Sequence, residues 1–141
     1  MILNTTYTER DQEERIDNLV GKKFGFIETL KLKGIGSKRM IINKASNKIE
    51  SLLNKSQDIN YVNIELRPKG VLLRIHATLK TYAWVIPYYQ LVVFKSLNTS
   101  IHAQGQFIQF KQDNRLRDNK GFFQKMMDQR LLCTTMNHPK L

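Results

Sequence analysis

Cysteine is nearly absent: Cys133 is the only one in 141 residues. No internal disulfide can form, which suits a reducing compartment. Long apolar runs are missing as well. No window approaches the roughly 20 apolar residues needed to span a bilayer. The longest stretch, Ala83 to Tyr89, is short and contains Pro87. After Ile2 and Leu3 the chain becomes polar and acidic, with no apolar stretch of signal-peptide length. These absences lead us to expect a cytoplasmic protein.

Metal-ligand spacing is also lacking. Zinc sites need three or four ligands, usually with a close pair. His76, His102 and Cys133 form no such pair. Beyond residue 18 the acids are Glu28, Glu50, Asp58, Glu65, Asp113, Asp118 and Asp128, scattered among lysines. Acid–base chemistry wants two carboxyls in one cleft with separated pKa values. Only Glu65, turned away from the apolar side of its strand, stands apart. The expectation is therefore no catalytic residue, no metal, no cofactor and no enzymatic activity.

Positive charge is what the chain has in excess. It carries 23 Lys and Arg against 12 Asp and Glu, a net of +11. The distribution is uneven. Residues 1–18 hold five acids (Glu9, Asp11, Glu13, Glu14, Asp17) and two bases, which leaves 21 bases against seven acids in the remainder. Such a body attracts polyanions. An acidic protein face or an anionic headgroup is the expected partner, ahead of nucleic acid.

The length is that of one domain. Residues 1–20 read as an acidic polar arm or short helix, 21–132 as the α+β domain, and 133–141 as a disordered tail. Within 21–33, Phe24, Phe26, Leu30 and Leu32 alternate as in a strand, while Val20, Phe24, Ile27 and Leu30 also form a helical stripe; Gly21 and Gly25 disfavour a helix interior, so a strand is the favoured of the two. Residues 37–55 read as an amphipathic helix capped by Ser37, with Ile41, Ile42, Ala45, Ile49, Leu52 and Leu53 as its stripe and Lys44, Lys48 and Lys55 on another face. A polar turn follows at 54–60.

From 61 to 111 the pattern is β. Val62, Ile64 and Leu66 alternate with polar residues, Arg67-Pro68-Lys69-Gly70 is a turn, and Val71, Leu73, Ile75 and Ala77 alternate again: a hairpin. Tyr82, Trp84 and Ile86 make a third strand ending at Pro87. A fourth covers Tyr89 to Phe94, and two short ones flank Gly105. Strands so close in sequence form an antiparallel meander. Phe123, Met126, Met127 and Leu131 place a second amphipathic helix at 117–132.

Two groups of residues are candidate contact sites. Lys33-Gly34-Ile35-Gly36-Ser37-Lys38-Arg39 resembles the hairpin of helix-hairpin-helix DNA-binding modules. There glycines admit a phosphate to backbone N–H groups at a helix start. Gly34, Gly36, Ser37, Lys38 and Arg39, with Lys44 and Lys48 on the helix, would form that anion site and carry the alternative, nucleic-acid function. In the sheet, Arg67, Lys69, Arg74, Lys80 and Lys95 would form a basic rim, with Tyr88 as an outward ring.

The run from Tyr61 to Arg130 resembles the small bacterial pleckstrin-homology-like modules. Its carriers are the hairpin around Pro68-Lys69-Gly70, the bend Trp84-Val85-Ile86-Pro87-Tyr88-Tyr89-Gln90-Leu91, and the closing helix. The resemblance implies a curved antiparallel sheet of five to seven strands, a partial barrel with a helix closing it. It also implies a binding or scaffolding role without catalysis. An exposed sheet edge offers a route to a homodimer.

Overall fold

The structure, a computed structural model, describes residues 1–7, 9–53 and 59–137. Lys55, most of the turn expected at 54–60, and the last four residues of the tail lie outside them.

The alternating segments form the centre of the sheet. Strands β3 (Tyr61–Arg67), β4 (Gly70–Ala77) and β5 (Lys80–Pro87) are successive antiparallel neighbours. Their register stacks Leu66 on Val71, Ile64 on Leu73 and Val62 on Ile75. Trp84 then pairs with Leu73 and Ile86 with Val71. Period-two alternation sends all of these to one face, where they are buried. A 3₁₀ turn, Tyr88–Gln90, follows Pro87 and leads to β6 (Val92–Phe94), β7 (Ser100–Ala103) and β8 (Gln106–Phe110).

Two further strands bring the count to eight rather than five to seven. Strand β1 (Ile2–Asn4) pairs with β5. Strand β2 (Met40–Ala45) pairs with β3 on one edge and β8 on the other. The strand order is β1-β5-β4-β3-β2-β8-β7-β6, antiparallel throughout.

Strand β2 replaces most of the helix expected at 37–55; among the described residues of that range only α3 (Asn47–Glu50) is helical. The apolar stripe is real, since Ile41, Ile42, Ala45 and Ile49 are buried. It imitates a helix because Met40, Ile41 and Ile42 are buried consecutively, and a continuous apolar run carries no strand period. A bulge between Ile42 and Lys44 shifts the phase again.

The strand expected in 21–33 is instead α2 (Phe26–Lys31). Its glycines lie at element ends. Gly21, at φ 86°, terminates α1 (Arg10–Val20), and extended Gly25 precedes α2. Neither occupies a helix interior, so the propensity penalty is never incurred.

Near the C-terminus, α4 (Asn114–Asp118) is capped by the Asp113 carboxylate, which accepts from the Leu116 N–H at 3.2 Å. Helix α5 (Lys120–Asn137) follows and continues through residues 133–137, expected to be tail. Its Phe122, Phe123 and Met126 join the main core.

The sheet curls upon itself. Gln104, in the β7–β8 turn, reaches across to the other arm of the sheet. Its amide nitrogen donates to the Val85 carbonyl at 3.0 Å, and its oxygen accepts from the Trp84 indole at 3.3 Å. On the outer face α1 sets Ile16 and Val20 against Leu72, Val85 and Leu3. The acidic first twenty residues are thus part of the sheet and its covering layer.

Gly70 marks the tightest approach. A Cβ there would overlap the Ile86 carbonyl and the Val20 side chain. Gly70→Ala should destabilise by about 2–3 kcal/mol, read as a lower urea midpoint at unchanged slope. Gly36→Ala, with open space around its Cβ, should leave the midpoint nearly unchanged.

Candidate anion-binding surface

Residues 33–39 do not precede a helix. Ser37 accepts from the Ile64 N–H through its hydroxyl and donates its own N–H to the Ile64 carbonyl, both at 2.8 Å. The Leu66 N–H bonds the Ile35 carbonyl at 2.7 Å. The segment is laid along β3 as a lead-in to β2. Ser37 is therefore not an N-cap, and no helix start follows Gly34 and Gly36 to offer free N–H groups to a phosphate. The helix-hairpin-helix reading loses its geometric premise.

What fixes this segment instead is Asn119, buried between α4 and α5. Its carbonyl oxygen accepts from the Lys38 N–H at 2.9 Å. Its amide donates to the Lys38 carbonyl at 3.2 Å and the Arg115 carbonyl at 2.9 Å. One turn into α5, Lys125 Nζ donates to the carbonyls of Lys33 and Gly34 at 3.3 and 3.1 Å. Two segments some eighty residues apart are latched together, and both are basic. Lys31, Lys33, Lys38 and Arg39 are exposed on one; Lys111, Arg115, Arg117 and Lys120 are exposed on the other.

Lys44 and Lys48 are exposed but lie elsewhere, around a depression they share with Gly105, Gln106 and Phe107. The expected sheet rim is dispersed too. Lys69 and Lys80 sit at opposite ends of β4, roughly 26 Å apart for eight residues at about 3.3 Å each. Lys95 rests over the Phe123 ring, 5.9 Å from its centroid.

Arg67 is not on a rim at all. It is buried, with Nε 2.7 Å from Glu65 and Nη1 3.0 Å from Asp17 and from the Gly21 carbonyl. Arg74 adds a second contact to Glu65 at 3.4 Å. Burial alone would raise the Glu65 pKa, but hydrogen bonding and charge from Arg67 and Arg74 bring it below the ordinary carboxylate value. Glu65 is thus a structural ion partner. Its partners Arg67 and Arg74 line a cleft of about 450 Å³ together with Lys22, Lys23 and the acids Glu9, Glu13 and Asp17 of the N-terminal stretch.

Tyr88 is the buried member of its pair at 2% exposure, and Tyr89 is outward at 83%. The Tyr88 hydroxyl donates to the Arg67 carbonyl at 3.2 Å, and burial pushes its pKa well up. The phase inverts because Tyr88–Gln90 is a 3₁₀ turn and not a strand.

His76 bonds Asn63 at 2.8 Å, and its pKa is lowered by burial and by the charges of Arg39 and Arg74. Arg39 itself lies 5.9 Å from the centre of the Tyr61 ring. His102 bonds Ser100 and stacks on Phe107. Among the described residues no three His, Cys, Asp or Glu side chains are grouped to hold a metal ion.

Sequence reading missed that Asn119 binds Lys38 and Arg115, and that Lys125 binds Lys33 and Gly34. No local period links them; the latch is purely tertiary.

Two outcomes follow from the ion cluster. Arg67→Met should cost about 3 kcal/mol by stranding the Glu65 carboxylate, measured by urea unfolding at neutral pH. Glu65 has a depressed folded pKa. Its stabilisation is complete above the unfolded value near 4.5 and is lost as pH falls through the lower folded value. Glu65→Gln should flatten that acid limb of the stability profile. No protein-family model, curated protein or solved structure matches this chain.

Proposed function

We propose that the chain is a non-catalytic binding module whose basic face engages an acidic protein or an anionic headgroup. The observation that carries the reading is the latched surface. Segments 31–39 and 111–125 together hold nine of the 23 cationic residues and only two carboxylates, Asp113 and Asp118. One of those two, Asp113, is occupied by capping α4 and by Arg115 at 3.6 Å. Eight of the nine cations are exposed. Charges held this way, on packed backbone, attract a polyanion without first paying to order a loop.

The architecture supports a pleckstrin-homology-like module. Strands β2 to β5 form one meander and β6 to β8 another, joined where β2 pairs with β8. Helix α5 follows and packs its Phe123 edge-on against Phe110 of β8, with ring centroids 5.7 Å apart. An antiparallel sheet followed by a helix packed on its last strand supports the architecture that the resemblance implies. Fold alone names no ligand; the charged face supplies the ligand chemistry.

The test uses polyglutamate as an acidic surrogate. Binding should weaken steadily with added salt. Lys38→Glu combined with Lys120→Glu should weaken it by roughly tenfold, about 1.4 kcal/mol, with the melting temperature unchanged. Equal affinity for the two proteins would overturn the assignment to this face. A gel shift with duplex DNA in the absence of polyglutamate binding would favour the nucleic-acid alternative.

A further inference from the structure

Helix α2 is turned the wrong way for a helix that merely covers a core. None of its six residues is buried. Phe24, Glu28, Lys31 and Leu32 line a groove against Gln129, Leu132 and Cys133 of α5. At 100° per residue, Phe26 and Leu30 then fall on the opposite side, with Ile27 to one side of them, toward Lys31. Their exposures are 79%, 62% and 67%. Three large apolar side chains therefore project from the body instead of lining a cavity. Contiguous apolar surface of this kind, rimmed by polar residues, marks an interaction site.

The rim identifies the occupant. Lys22, Lys23, Lys31 and Lys33 flank the three residues in sequence and are all exposed, with Glu28 the one acid in residues 21–33; Lys22 and Lys23 also line the N-terminal acidic cleft, and Lys31 the groove against α5. Lys33 joins this rim directly to the latched basic face through the Lys125 contacts. Every cation of the rim is lysine. Protein interfaces are depleted in lysine and favour arginine, whose planar fork pairs with individual carboxylates. Lysine is a hydrated point charge, suited to a diffuse layer of negative charge. The apolar group is also convex. A protein partner would need a matching pocket, whereas a bilayer admits a projection anywhere on its surface. Apolar and aromatic side chains ringed by lysine are the composition of an interfacial anchor.

We infer that α2 is a membrane-docking wedge: Phe26, Ile27 and Leu30 enter the interfacial layer of an anionic bilayer while the surrounding lysines neutralise its headgroups. This deepens the binding-module reading above and rests on it, naming the lipid surface as the partner. Among the described residues no helix is long and apolar enough to cross a membrane, so the contact is peripheral.

The experiment is flotation of the full chain with phosphatidylcholine vesicles, with and without phosphatidylserine. Co-flotation is expected only with phosphatidylserine present, and it should weaken with salt. Phe26→Ser, Ile27→Ser and Leu30→Ser together should reduce vesicle partitioning by roughly tenfold or more. The same variant should keep its polyglutamate affinity and its melting temperature, since no buried group is altered. Equal flotation of variant and parent would overturn insertion by α2 and leave the basic-face reading intact. Polyglutamate binding with no flotation of the parent would overturn the lipid assignment in favour of an acidic protein. Failure of both ligands would overturn the two readings together.

Discussion

Strand β2 is hydrogen-bonded along both edges, to β3 on one side and β8 on the other, and the rest of the molecule depends on that double pairing. Without it the chain would be two separate meanders, each with an open apolar face. With it, the meanders share one core in which Met40 and Ile42 lie among the side chains of both. The bulge after Ile42 lets the strand bend as it passes from one partner to the other. Gln104 completes the curl on the far side.

The same pairing explains where the charges gather. Because β2 runs beside β8, its lead-in segment is carried to the chain that leaves β8, which is the start of α4. Asn119 needs only to satisfy the Lys38 and Arg115 backbone groups for the two basic segments to become one surface. The charged residues also divide by chemistry. Arginine takes the buried position at 67, where its fork can meet two carboxylates and a carbonyl at once. Lysine dominates outside, where a flexible, hydrated ammonium loses least.

Much of the sheet was legible from residue pattern, because Tyr61 to Leu66 alternates and the strands after it are punctuated by Pro68, Gly70, Pro87 and Gly105. What escaped had physical reasons. Met40-Ile41-Ile42 is buried without a break, so it carries no period of two. Ile2 to Asn4 is three residues long, too short for any period to register. Gly21 and Gly25 argued against a helix only if they lay inside one, and both sit at boundaries. The candidate surface was half legible. Lys38 and Arg39 stood out for a phosphate loop that the fold does not make, while their true neighbours on α4 and α5 are tertiary. Tyr88 was drawn inward by its hydroxyl's bond to the Arg67 carbonyl, and Arg67 by its ion pairs with Glu65 and Asp17, interactions that no alternation rule encodes.

Trp84 is the sole tryptophan, wholly buried, and its indole N–H meets Gln104 where the curled sheet comes back on itself. The chromophore therefore sits on the seam. Parting of the two meanders at this point would break the Trp84–Gln104 contact and expose the indole to solvent. Intrinsic fluorescence in this protein is a local gauge of that contact, supplied by the chain without a label.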